Sequence, residues 1–193
     1  MIKQRFTQNA GMTLVEATIV LAVASVIIAA VWMVSAVVYE NARQYQANRQ
    51  LQTIVQNVRQ LYARVNALTN IADVTCTLDA QAAFPVEMRV AQGTPCSTTP
   101  ALNHPWSSAT AGTVRVFNRT STTFGIVFSG LPKKACVGLA TKLTGGDITN
   151  LTAVIINSGT PITGTSLPIT IVTSNAACNV TSNTLEWQFD IRA

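Results

Sequence analysis

Charge is scarce in this chain of 193 residues, where only 11% are Asp, Glu, Lys or Arg. Aromatic residues make up 6%, and His104 is the single histidine. These shortages exclude several functions. The net charge of +5 is scattered, with Arg43, Arg49, Arg59 and Arg64 on one stretch and Lys133, Lys134 and Lys142 on another. No basic run is interleaved with aromatics, so nucleic acid is not an expected partner. The cysteines, Cys76, Cys96, Cys136 and Cys178, form no Cys-x-x-Cys pair, and one histidine cannot complete a zinc set with them. The acids Asp73, Asp79, Glu87, Asp147, Glu186 and Asp190 lack calcium-loop spacing. Gly145-Gly146-Asp147 lacks the Lys-Ser/Thr ending of a phosphate loop. Neither a cofactor nor a catalytic constellation is expected. His104, next to Pro105 and without an acidic or cysteine companion, reads as a surface or turn residue of Asn103-His104-Pro105-Trp106.

What the chain has is one long apolar run. From Ala17 to Tyr39 no charged residue occurs, enough to cross a hydrocarbon core of about 30 Å as a helix. Lys3 and Arg5 precede it with no acid among them, which holds that end in the cytoplasm and sends the rest outward. A cleavable secretory signal has a shorter apolar core. A plain signal anchor fits the length but leaves Glu16 unexplained, because a carboxylate in a membrane segment is costly and marks a partner or a function.

Beyond the run the helix continues. Leu51, Ile54, Val55, Val58, Leu61, Tyr62, Val65 and Leu68 recur at helical spacing, and neither glycine nor proline interrupts Met12 to Thr69. Such a helix is roughly 87 Å long, longer than a bilayer requires. Its first part (17–39) is expected to be the span and its second (40–69) to lay an apolar stripe on a sheet, as an ordinary domain helix also does. Small residues such as Ala22, Ser25, Ala29 and Ala36 allow close approach of neighbouring spans.

Residues 70–112 are broken by Cys76, Pro85, Gly93, Pro95, Cys96 and Pro105. Thr113–Asn118 and Thr122–Ser129 alternate and read as a hairpin joined by Arg119-Thr120-Ser121. A short helix follows, with Pro132 in its first turn and Gly145-Gly146 as its stop. Leu151–Asn157, Leu167–Thr173 and Leu185–Ile191 read as further strands. The four cysteines all follow the apolar run, in the part destined for an oxidising compartment; two disulfides are expected, with three connectivities open. Cys136, near a helix start beside Lys133 and Lys134, has the surroundings of an activated thiolate, but no histidine base accompanies it.

Gly11-Met12-Thr13-Leu14-Val15-Glu16, after a basic leader and before an unbroken apolar helix, closely resembles the processing site of type IV prepilins. Met12 in the first mature position resembles the type IVb branch. Gly130-Leu131-Pro132-x-x-Ala135-Cys136-x-x-Leu139 after a hairpin resembles the start of that branch's disulfide-bounded segment. The resemblance implies cleavage after Gly11 by a prepilin peptidase, N-methylation of Met12, and an assembly role for Glu16, which pairs with a neighbouring subunit's terminal amine. It implies a Cys136–Cys178 disulfide bounding a variable region, which, together with short-range closure, leaves Cys76–Cys96.

The expected fold is α+β and type IV pilin-like. A leader (1–11) precedes a long helix (12–69) packed by its C-terminal half on an antiparallel sheet within a head (70–193). The expected function is a structural pilus subunit, not an enzyme, that forms a homo-oligomeric helical filament for adhesion or aggregation. Its partners would be the prepilin peptidase, the pilus assembly machinery and the bacterial inner membrane, which it leaves for an extracellular filament. The alternatives are a minor pilin or type II secretion pseudopilin, and a membrane-anchored binding domain that never polymerises.

Overall fold

The computed structural model describes residues 13–64, 68, 72–89, 102–108, 112–143 and 150–192. The chain divides into two compact units, Met1–Asn41 and Ala42–Ala193. Helix α1 (Leu14–Tyr62) begins in the first and ends in the second. Its expected continuation toward Thr69 is not seen in the described residues: Ala63 and Arg64 form a turn, and 65–67 lie outside them.

In the first unit, the Ala17 amide bonds the Thr13 carbonyl at 3.0 Å, and the Glu16 amide bonds Thr13 Oγ1 at 3.3 Å. Thr13-x-x-Glu16 has the pattern of a capping box, in which a threonine side chain satisfies a free amide of the first turn. Two hydroxyls of the apolar run are satisfied internally. Thr18 Oγ1 donates to the Val15 carbonyl and Ser25 Oγ to the Ala22 carbonyl, each at 2.8 Å, which makes them tolerable where water is excluded.

The second unit is built on a five-stranded antiparallel sheet. Its strands are β1 (Val114–Asn118), β2 (Thr123–Leu131), β3 (Leu151–Ile156), β4 (Ile162–Thr163) and β5 (Asn183–Asp190), in the order β1-β2-β5-β3-β4. Register places matching residues in rows. Val116, Ile126, Trp187 and Val154 lie side by side, as do Val114, Phe128, Leu185 and Ile156, and all eight are buried. Alternation along each strand puts these rows on one face. The β1–β2 turn is held by Thr120 Oγ1, which accepts the amides of Thr122 and Thr123. Near the end of β2 the register shifts between Phe128 and Leu131, and Gly130 there has a φ of +77°, a backbone state open to glycine and typical of a bulge.

Onto the buried face α1 lays Ala47, Leu51, Ile54, Val55 and Val58, all part of one core cluster with the sheet residues. Polar contacts set its position. Tyr62 Oη donates to Asn118 Oδ1 at 3.1 Å, and Arg59 Nε donates to the Asp190 carbonyl at 3.2 Å. Helix α2 (Thr75–Ala80) is tied to the following turn by the buried Asp79, which lies 2.8 Å from Arg89 Nε. The segment leading into α2 covers the free edge of β1. Val74 N donates to the Val116 carbonyl and Asn118 N to the Ala72 carbonyl, each at 3.0 Å; an edge so occupied offers no template for strand addition.

Helix α3 (Lys133–Leu143) starts after Pro132, whose carbonyl accepts the Cys136 amide at 3.0 Å. Its expected stop at Gly145-Gly146 lies outside the described residues. Gly138 faces α1 so closely that a Cβ would stand 2.8 Å from Gln44 Nε2.

One expected strand is a helix instead. Leu167–Thr173 does not extend the sheet, and α4 (Ile171–Ala177) takes up its second half. Thr170 is the N-cap, its side chain accepting the Thr173 amide at 3.2 Å. The β-branched run that reads as a strand is misleading here: Ile171 and Val172 point outward, 70% and 80% exposed. Pro168 and the Thr170 cap decide the local structure.

Candidate functional site

Two regions carry the residues that the sequence singles out. Gly11 and Met12 lie outside the described residues. Glu16 sits in the first turn of α1 and is exposed. From Leu14 to Val38 the large aliphatic residues of α1 are likewise exposed, Leu14 by 81% and Val23 by 55%. Among the described residues this is the one helix long and apolar enough to cross a membrane, and none of its apolar window is buried. Each such side chain taken out of water contributes roughly 1.5–3 kcal/mol, and soluble monomers rarely leave so large an apolar surface bare. The surface is made to be covered by lipid or by other helices.

The second region is the disulfide-bounded segment. Cys136 in the first turn of α3 is bonded to Cys178 at the end of α4, their Cα atoms 6.0 Å apart and both residues fully buried. This answers the question of an activated thiol, since Cys136 has no free sulfur. Cys76 is also disulfide-bonded; Cys96 lies outside the described residues. A second clamp lies beside the Cys136–Cys178 bridge. Asn157 Nδ2 donates to the Ala177 carbonyl and to Asn183 Oδ1, both at 2.9 Å, while Asn183 Nδ2 donates to the Leu131 and Val180 carbonyls. Asn183 is fully buried, so these bonds join the ends of β2, β3 and α4 to the start of β5 inside the protein. Sequence reading passed over both asparagines, and the only local signal was the Asn157-Ser158 turn, where φ is positive at both residues.

On the outer face of the sheet, Arg119 makes a two-pronged ion pair with Glu186 and lies 4.7 Å from the centre of the Phe117 ring. Gly125 leaves the space they need, since a Cβ would stand 2.6 Å from Glu186 Oε1. This group braces the hairpin and offers no open acid or base. His104 is a turn residue, as expected, but it is not on the surface: it is 4% exposed and stacked on Phe128. No group of three or more His, Cys, Asp or Glu capable of holding a metal occurs among the described residues.

A helix packed on an antiparallel sheet, with a disulfide-bounded C-terminal segment, defines the class: this is the fold of a type IV pilin. It is shared with the type IVb pilin from Salmonella typhi, at 23% identity over 73% of this chain and 95% of that one, with a TM-score of 0.51. TcpA, a type IV pilin from Vibrio cholerae El Tor biotype, matches at 13% identity over 76% and 98%, with a TM-score of 0.50. No curated protein sequence matches the chain. The bundlin family model matches residues 35–190, and the chain belongs to that family. It is accordingly a pilus structural subunit of the type IVb kind and not an enzyme.

Proposed function

We propose that this chain is made as a prepilin, cut after Gly11 by a prepilin peptidase and methylated at Met12. The inner membrane holds it until the pilus assembly machinery polymerises it, through α1, into an extracellular filament for adhesion or aggregation. The observation that carries this reading is the bare apolar half of α1, with Glu16 exposed in its first turn. Cleavage after Gly11 creates an ammonium group four residues before Glu16, close to it on the same helical side. A carboxylate drawn into a helix-packed filament core is costly alone and tolerable when paired. The terminal amine of a neighbouring subunit is such a partner, and pairing with it sets the axial register.

The mass of the mature protein tests the processing steps together: loss of residues 1–11, gain of one methyl group and loss of four hydrogens for two disulfides. Gly11→Leu is expected to accumulate at full length in the membrane, and normal maturation of that variant would sink the reading. Glu16→Val is expected to be processed and yet give few filaments in sheared surface fractions. Wild-type filament yield would remove Glu16 from assembly.

A further inference from the structure

The turn of residues 102–108 is stitched to three parts of the head. Asn103 N donates to the Met88 carbonyl, Val114 N donates to the Leu102 carbonyl at 2.9 Å, and His104 Nε2 lies 2.7 Å from the Ser129 carbonyl. The His104 ring is the centre of this arrangement. It stacks on Phe128 with centroids 5.4 Å apart and planes 11° from parallel. Its Nδ1 accepts the Trp106 backbone N–H at 3.2 Å. An acceptor at Nδ1 and a carbonyl facing Nε2 permit one state, the neutral ring with its proton on Nε2. A second proton would have to enter at Nδ1, where it would meet the Trp106 N–H, donor against donor.

Among the described residues, no acidic side chain faces the ring to compensate a charge. Strand β2 presents Phe128 and the Ser129 carbonyl, the turn itself presents Trp106 and Ser107, and the entry to β1 presents Gly112. None of these titrates. Gly112, at a φ of +94°, comes so near that a Cβ there would lie 3.1 Å from His104 Nε2. The charged residue joined to the turn is Arg89, whose backbone pairs with Leu102; it is a cation already bound to Asp79. Segments 90–101 and 109–111 contain no Asp, Glu, Lys, Arg or His.

We propose that His104 is an acid-operated latch, which when neutral holds the turn of residues 102–108 against β2 and when protonated releases that turn from the head. Burial holds the His104 pKa below its ordinary value, with the Ser129 bond acting in the opposite sense. A released ring titrates near about 6.5. The latch is therefore fully closed above that pH and weakens as the pH falls from there to the lowered value.

As the only histidine, His104 gives a single imidazole signal in NMR spectra of the full chain in detergent micelles. The expected midpoint lies below about 6.5. Deuterium uptake by peptides spanning 102–113, corrected for intrinsic exchange, is expected to rise about tenfold per pH unit as the pH falls from about 6.5 to that midpoint and to level off below it, while amides of β5 stay protected. His104→Asn supplies an uncharged acceptor for the Trp106 amide and is expected to make uptake independent of pH. A midpoint at or above 6.5 would overturn the proposal, as would unchanged uptake in the wild-type chain between pH 7.5 and 4.5. A wild-type pH response in His104→Asn, or simultaneous loss of protection in β5, would also overturn it. If His104→Asn does not fold, coincidence of the imidazole and uptake midpoints in the wild-type chain decides the matter.

Discussion

One helix, α1, carries two kinds of surface. From Leu14 to Val38 its aliphatic side chains are exposed on every side. From Gln44 to Val58 buried residues recur every third or fourth position, Ala47, Leu51, Ile54 and Val58 among them, with polar residues between. Backbone and hydrogen bonding are the same in both, so the difference lies in how apolar side chains are distributed around the axis. A stripe is satisfied by one sheet. A helix that is apolar all round demands a surrounding medium or many neighbours. The lesson is that a single secondary-structure element can belong half to a folded domain and half to an assembly.

The comparison can be broken at three points of decreasing effect. Replacing Cys136 and Cys178 together by Ser opens a closure spanning 42 residues and is expected to lower the stability of the head by about 4 kcal/mol. Urea unfolding followed by tryptophan fluorescence reads this, and no loss would mean that the Asn157 and Asn183 clamp suffices. Leu51→Ala is expected to cost the head about 3 kcal/mol by leaving a cavity. The chemically identical Leu21→Ala should cost less than about 0.5 kcal/mol in the same measurement, as exposed substitutions do. Equal losses would erase the distinction between the two surfaces. The smallest effect is expected at Gly138→Ala, which pushes a methyl group against Gln44. The end of a glutamine side chain can move aside, so the cost should stay below about 1 kcal/mol, and Gln44→Ala in the same chain should relieve it; lack of relief would mean that α1 and α3 meet elsewhere.

Much of the fold was legible because it is written in local periodicity. The alternating Thr113–Asn118 and Thr122–Ser129 runs became β1 and β2, and Pro132 stands immediately before α3. Where local signals compete, reading failed. Ile171, Val172 and Thr173 have strand-like side chains, but the Thr170 cap made them helical. Thr13 was read only as part of a motif with Glu16, although its spacing to Glu16 also forms a helix cap. Buried polar residues were the least legible. His104 and Asn183 look like ordinary polar residues in sequence, and their burial depends on the Ser129 and Leu131 carbonyls of β2.

By itself, the sequence determined that α1 must be covered over its first half, because a run without charge and without a polar face cannot be satisfied by water in any conformation. It also determined the stripe that docks the second half, because helical periodicity is a local property. Family resemblance implied the Cys136–Cys178 pairing, but only the tertiary structure brought the two sulfurs together. The tertiary structure also turned the chain at Asn157, withdrew His104 from water and filled the space that Gly125 and Gly138 leave open. These outcomes depend on contacts between segments far apart in the chain, and no local pattern records them.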